Sequence, residues 1–256
     1  MLRSAPASNG IGFCFVLSSF GRANEHSVRP RLLRNLIQLL ILALAIPVSG
    51  CNPFPKTWQW NQKLTIVVST PEGVRVGSAV TEVRWQEENS VGNYPGSYKG
   101  EATVVDLGGG RYLFALLSEE TRYLALRTFS DALGDKAQIS EVGFEAMANM
   151  RGTREVPHEH YPLLVTFDDI NDPATVKGVD PDDLAARFGP GVSLKRITLT
   201  LADEPVTEGV INTLDWVEGT KIDPTRNDGR SETLRYPNDS PRGYGTLSIG
   251  EFIRRP

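Results

Sequence analysis

Cysteine is almost absent from this chain of 256 residues, which contains only Cys14 and Cys51. Residues 52–256 have none, so this part of the chain can form no internal disulfide and offers neither a thiol nucleophile nor a cysteine ligand for a metal. Histidine is also scarce, and only His158 and His160 follow residue 51. These absences exclude thiol catalysis and cysteine-ligated metal centres, and they leave one histidine pair as the source of imidazole ligands.

Long apolar runs are absent as well. The most apolar segment, Leu36–Val48, has 13 residues and is interrupted by Gln38 and Pro47, whereas a transmembrane helix needs about 20 residues. Basic residues precede this segment and small residues follow it, namely Arg29, Arg31, Arg34, Ser49 and Gly50. A basic region, a short apolar core and small residues at the cleavage point predict a secretory signal peptide that occupies residues 1–50.

Cys51 directly follows this segment, and the sequence Val48-Ser49-Gly50-Cys51 resembles the lipobox of bacterial lipoproteins. The resemblance implies a thioether between Cys51 and a diacylglyceryl group with palmitate-type chains, cleavage after Gly50 and usually acylation of the new amino terminus. Two or three acyl chains hold a protein on a bilayer without a spanning helix. The expected location is the bacterial cell envelope, facing the periplasm, and Asn52 favours the outer membrane over the inner one.

The first 27 residues do not fit this leader, because a signal peptide normally has about 15–30 residues. The segment from Val28 to Gly50 has 23 residues and contains all the features of the leader. No methionine occurs between Met1 and Met147. We therefore predict that translation starts at a non-AUG codon at Val28; a genuine long n-region is the alternative.

The chain also has no excess of basic residues. The first fifty residues contain five arginines and one acid, Glu25, so residues 51–256 have 22 basic and 30 acidic residues and a net charge of about −8. A negative surface argues against nucleic acid as a partner. It also argues against electrostatic docking onto anionic lipid.

Alternating apolar residues predict antiparallel strands in the first half of the mature chain. Glycines 108–110 between two of these strands predict a hairpin turn rather than a phosphate-binding loop, because no Lys-Ser/Thr follows them. The predicted strands are Lys63–Ser69, Ala79–Trp85, Lys99–Leu107, Arg111–Leu117 and Tyr123–Phe129.

The second half of the chain mixes helix and strand signals. Asp180 before Pro181 predicts a helix start, and Thr207 can cap another helix. The predicted elements are a helix at Ala137–Met150, a strand at Tyr161–Phe167, a helix from Asp180 to Phe188, a strand at Val192–Leu201 and a helix from Thr207 to Trp216.

Together these patterns predict an α+β fold, mainly an antiparallel β-sandwich-like sheet with a few short helices. We expect a lipidated tether at 51–62 and a single α+β domain at 63–256, with a subdivision near residue 130 left open. The first sixty or so residues of the domain resemble transthyretin-type sandwiches. The segments Asp180–Leu184 and Asp203–Thr207 resemble uncharacterised proteobacterial proteins. None of these resemblances implies an activity.

Two groups of side chains are candidates for ligand binding. His158 and His160 would share one face of a strand and could bind a metal with an acid from 168–172. The flanking prolines, Pro157 and Pro162, instead favour an exposed loop. The acids at 168–172 have oxygens that suit Ca²⁺ but not the spacing of an EF-hand, and the alternative is an Asx turn.

No catalytic constellation is evident in the sequence, and it predicts no cofactor. The first hypothesis is a membrane-anchored envelope lipoprotein that acts as a non-catalytic interaction or assembly module. Its expected partners are the lipid bilayer, through acylated Cys51, and an envelope protein. The alternatives are a tethered hydrolase that uses carboxylates and a protein that binds a metal or small ligand through His158 and His160.

Overall fold

The structure is a computed structural model that describes residues 55–88, 92–219, 233–235 and 246–255. The predicted signal peptide, Gly50 and Cys51 lie outside the described residues. The elements in chain order are β1 (Thr57–Thr70), β2 (Gly73–Gln86), β3 (Gly96–Glu101), β4 (Thr103–Gly108), β5 (Arg111–Ala115), α1 (Leu124–Thr128), α2 (Ser130–Leu133), α3 (Glu141–Asn149), β6 (Gly152–Glu155), β7 (Leu164–Phe167), β8 (Val176–Val179), α4 (Ala185–Phe188), β9 (Ser193–Leu201), α5 (Asp215–Gly219), β10 (Thr233–Arg235), β11 (Thr246–Ser248) and β12 (Ile253–Arg254).

Several short 3₁₀ turns connect these elements. They lie at Glu119–Arg122, Gly134–Lys136, His158–His160, Pro173–Thr175, Val210–Asn212 and Ile249–Glu251. The described residues belong to one compact unit. Its antiparallel sheets with a few short helices confirm the predicted fold class.

The larger sheet has six strands in the order β12-β3-β2-β1-β9-β6, and its neighbouring strands are antiparallel. Its centre is the long hairpin of β1 and β2, which pair from Thr57 opposite Gln86 to Thr70 opposite Gly73. Alternate residues of a strand face opposite sides of the sheet. The even-numbered residues of β1 therefore face the core, and Trp58, Trp60 and Ile66 among them are buried.

The smaller sheet has four strands in the order β4-β5-β7-β8. Glycines 108–110 form the predicted hairpin turn, and all three have positive φ values, from 65° to 85°. Leu113 and Ala115 belong to one apolar cluster, whereas Phe114 and Leu116 belong to another. This sheet is therefore buried on both faces, which explains its continuous apolar sequence.

The first apolar cluster joins the inner face of the six-stranded sheet, helices α1 and α3, and one face of the four-stranded sheet. The second joins the other face of the four-stranded sheet to the C-terminal segments, including Leu214, Leu247 and Phe252. The sheets approach closely at Gly77, where a Cβ would lie 2.0 Å from the carbonyl oxygen of Val104. Glycine is thus required there for close packing.

Two predicted strands are wrong in type or extent. Tyr123–Phe129 contains helix α1 rather than a strand, because its Leu-Ala-Leu-Arg core consists of strong helix formers. Lys99–Leu107 is not one strand. The chain breaks at Ala102, whose N–H donates to the carbonyl of Phe252, and β3 and β4 then join different sheets.

The predicted tether at 51–62 is too long at its C-terminal end. Strand β1 begins at Thr57, so residues 57–62 belong to the sheet. Trp58 and Trp60 extend the alternating pattern of β1 and are buried, as packed tryptophans rather than lipid-facing ones.

Two predicted caps have other roles. The carboxylate of Asp180 accepts from the N–H of Asp182, and Asp183 accepts from Ala186 at the start of the short helix α4. Thr207 does not begin a helix. Its N–H donates to the carbonyl of Val80, and its hydroxyl accepts from the N–H of Val80. Thr207 therefore pairs with β2.

Candidate functional site

The first described residues of the domain are held between β2 and α3. The carbonyl of Lys56 accepts a hydrogen bond from the N–H of Glu87 at 2.9 Å. Lys56 Nζ donates to Glu141 Oε2 at 2.7 Å, and Glu141 is the first residue of α3. This contact raises the pKa of Lys56, through the hydrogen bond and the charge of Glu141. The described chain therefore begins beside the N-terminus of α3, and this part of the domain, around Lys56 and Glu141, is called the tether end below.

An aromatic cluster lies under the tether end. The ring of Phe144 in α3 stacks on Trp85 with centroids 4.8 Å apart and lies 5.3 Å from Trp58 and 5.4 Å from Tyr94. The ring of Tyr123 also contacts Trp85, with centroids 5.3 Å apart. Aromatic pairs at these separations stabilise a core beyond the apolar area that they bury. The cluster makes the tether end a firmly packed part of the domain.

Large aliphatic side chains are exposed at the same end. Ile139 is 51% exposed and Val142 is 57% exposed, on either side of Ser140 and Glu141. The Ser140 hydroxyl accepts from the N–H of Gly143 and begins α3 there. Phe144 and Met147 face the core. Ile139 and Val142 take no part in this packing and face outward.

A second exposed aliphatic pair lies at the opposite end of the β1–β2 hairpin. Val74 is 63% exposed and Val76 is 60% exposed, both near the start of β2. Val76 lies opposite Val67 on the outer face of the sheet, and Val74 lies opposite Ser69. With a rise of about 3.3 Å per residue, the strands place this pair roughly 35 Å from the tether end. It is called the distal pair below.

The structure gives the two candidate histidines different surroundings. They lie in the 3₁₀ turn His158–His160 rather than in a strand, and residues two apart in such a turn point in different directions. His158 Nε2 lies 3.1 Å from Asp182 Oδ1. His160 lines an open hollow of about 550 Å³ with Tyr123, Leu126 and others. Among the described residues, no group of three or more His, Cys, Asp or Glu side chains is arranged to hold a metal ion.

The acidic segment 168–172 forms the turns that its sequence suggested as an alternative to calcium binding. Asp169 Oδ1 accepts from the N–H of Asn171, and Asp172 Oδ1 accepts from the N–H of Ala174, each at 2.9 Å. The hydroxyl of Thr175 donates to the backbone carbonyls of both aspartates. The carboxylates of Asp169 and Asp172 thus accept hydrogen bonds from nearby backbone N–H groups.

Two buried or half-buried carboxylates also have structural roles. Glu101 Oε2 accepts from the N–H of Val210 at 2.7 Å, and Glu251 Oε2 accepts from the N–H of Ser248 at 2.6 Å. Burial raises the pKa of Glu251, against the opposing effect of the Ser248 N–H. Both carboxylates hold segments of the chain that cover the four-stranded sheet.

A shallow groove of about 370 Å³ follows the edge formed by β3 and β12 and contains basic residues. Lys99 pairs with Glu82 at 3.0 Å, and Arg254 lies 3.8 Å from Glu119 and stacks over the ring of Tyr98. Burial raises the pKa of Tyr98, while Arg254 acts in the opposite direction. Because acids of the same surface neutralise much of this charge, the groove has no strong electrostatic preference for an anion.

Sequence reasoning missed the aliphatic surface at the tether end. Its predicted helix, Ala137–Met150, included both Ile139 and Val142, whereas α3 begins at Glu141. Within the described residues, no helix has the length and apolarity to cross a bilayer.

Comparisons with protein families, with curated proteins and with solved structures found no match to this chain.

Proposed function

We propose that this protein is a membrane-anchored envelope lipoprotein that acts as a non-catalytic interaction or assembly module. The observation that carries the proposal is the sequence Val48-Ser49-Gly50-Cys51, which follows a cationic cluster and a 13-residue apolar segment. The proposed anchor is a diacylglyceryl group on the Cys51 thiol, and the proposed location is the periplasmic side of the envelope, with the outer membrane favoured.

The start of the folded domain supports this proposal. Five peptide links separate Cys51 from Lys56, whose backbone and side chain are held by Glu87 and Glu141. A fully extended chain covers at most about 3.6 Å per residue, so Lys56 lies within about 18 Å of the lipidated residue. A tether this short keeps the domain at the membrane surface and raises its effective concentration for other envelope components.

The distal pair supports the interaction role. Around Val74 and Val76, the outer face of the β1–β2 hairpin carries the small polar residues Thr65, Ser69 and Ser78, while Val67 is buried and lies opposite Arg196 of β9. Nearer the tether end, the same face carries charged residues such as Glu82 and Arg84. Exposed apolar side chains on the outer face of a sheet are typical of protein contact surfaces.

The anchor is tested by metabolic labelling of the full-length chain and its Cys51→Ser variant in a bacterial host. The wild-type protein should incorporate labelled palmitate, lose its leader and enter the detergent phase on phase separation. The variant should do none of these, because serine has no thiol to receive the diacylglyceryl group. Equal palmitate incorporation by both proteins would overturn the proposal.

A further inference from the structure

We propose that Ile139 and Val142 contact the surface of the membrane in which Cys51 is anchored, so that the domain stands with its distal pair pointing away from the bilayer. This inference rests on the proposed lipidation of Cys51. It assigns a lipid-contact surface to the tether end and a fixed orientation to the domain.

The position of the two aliphatic residues relative to the tether is the first argument. Glu141 lies between Ile139 and Val142 in the sequence, and its carboxylate holds the ammonium group of Lys56 at 2.7 Å. Lys56 is in turn five peptide links from Cys51. An anchored Cys51 lies at the bilayer surface, and the short tether therefore brings the start of α3 close to that surface.

Their exposure is the second argument. Isoleucine and valine are among the residues that folded proteins most often bury, yet these side chains are 51% and 57% exposed. The opposite side of α3 already packs on the core, since Phe144 and Met147 are fully buried. A bilayer surface next to the tether end would remove Ile139 and Val142 from water without any change in the fold.

The tryptophans near the tether do not compete for this role. Trp58 and Trp60 are closest in sequence to the anchor, but both are buried in the first apolar cluster. They cannot reach the headgroup region, where exposed aromatics usually lie in membrane proteins. Ile139 and Val142 are instead the exposed large apolar residues closest in the chain to Glu141, the partner of Lys56.

The charges around the tether end indicate the kind of contact. Lys56 lies near the three acids Glu87, Glu141 and Glu145, and Arg127, which lines a hollow with Ile139, is paired with Glu120. Cations do not exceed acids here, and the chain as a whole is acidic. We therefore expect an apolar contact with lipid, which should depend little on salt or on the fraction of anionic lipid, in contrast to attraction by a polybasic segment.

The experiment measures how deeply single positions enter the lipid phase. The lipidated full-length gene product carrying Val142→Cys is purified, labelled with a nitroxide and reconstituted in vesicles of phosphatidylethanolamine and phosphatidylglycerol. Label attaches only at the introduced thiol, because Cys51 is a thioether and Cys14 leaves with the leader. Ile139→Cys is the second probe. Val76→Cys is the matched control, since Val76 is 60% exposed at the far end of the hairpin.

We expect nitroxides at positions 139 and 142 to lose collisions with a water-soluble nickel chelate and to gain collisions with oxygen, which concentrates in lipid. The nitroxide at position 76 should stay accessible to nickel, and raising the salt concentration should change none of these results. Palmitate-labelled protein with equal nickel accessibility at positions 76, 139 and 142 would overturn this inference alone. Absence of palmitate on the wild-type chain would overturn the proposed function on which it rests.

Discussion

The indole of Trp85 and the phenyl ring of Phe144 stack with centroids 4.8 Å apart and planes inclined by 18°. Trp85 lies near the end of β2, and Phe144 lies in the second turn of α3. This stack therefore fastens α3 to the six-stranded sheet beside the tether end. The exposed Val142 and the ion-paired Glu141 take their positions from it.

Replacing Phe144 by alanine should lower the free energy of unfolding by about 3–5 kcal/mol, the usual cost of removing a buried phenylalanine side chain. Phe144 is fully buried and contacts several aromatic rings. Urea denaturation of the unlipidated mature chain carrying Cys51→Ser measures the change. Val142→Ala in the same helix is the control and should shift stability by less than about 0.5 kcal/mol, as exposed substitutions usually do. Similar losses in both variants would contradict the packing described here.

Glu251 should make stability depend on pH. Burial raises its pKa above the ordinary value of 4.5, so the folded protein binds this proton more tightly than the unfolded chain. Its contribution to the free energy of unfolding is therefore complete below pH 4.5 and is lost as the pH rises through the raised folded value. Glu251→Gln keeps an acceptor for Ser248 but cannot ionise. The variant should gain stability relative to wild type as pH increases above 4.5, and a difference that is constant with pH would count against this account.

Zinc should leave the thermal stability of the mature chain almost unchanged. His158 faces Asp182, and His160 faces a different hollow, so the imidazoles do not converge on one ion. A ligand that binds only the native state at a hundredfold excess over its Kd would stabilise it by about 2.7 kcal/mol. Differential scanning calorimetry with and without zinc measures the effect. A large rise in Tm that disappears in the His158→Ala/His160→Ala double variant would revive the metal-binding alternative.

The first 27 residues should be dispensable. A gene that begins at codon 28, with Val28 replaced by an initiator methionine, retains the arginine cluster, the apolar segment and Cys51. Its product should reach the envelope and incorporate palmitate as the full-length product does, as shown by cell fractionation and labelling. Loss of export on this deletion would mean that the upstream segment is a functional part of the leader.

Local patterns were sufficient to predict the centre of the fold. The period-2 alternation of β1 and β2 and the glycines at 108–110 indicated two hairpins, and both are present. Local patterns did not separate β3 from β4, because the break at Ala102 depends on a hydrogen bond to Phe252, which lies far along the chain. They also did not identify α1, where helix-forming residues outweighed the aromatic residues that suggested a strand.

The candidate site was also predicted only in part from the sequence. The lipobox at Cys51 is a local signal, and sequence alone predicts it. The position of Ile139 and Val142 beside the tether depends on the Lys56–Glu141 pair, whose members are 85 positions apart. It depends also on where α3 begins. Val142 and Phe144 are two residues apart and so differ by about 200° around a helix, which places one outside and the other in the core.

The most direct test of the central claim is the mass of the N-terminal peptide of the protein purified from membranes. Trypsin should release the peptide Cys51–Lys56, since Lys56 is the first basic residue after the proposed cleavage point. We predict that this peptide begins at Cys51 and carries a diacylglyceryl group on its sulfur. A mature protein whose N-terminus lies elsewhere, or a peptide with an unmodified Cys51 thiol, would contradict the claim that this chain is a lipoprotein.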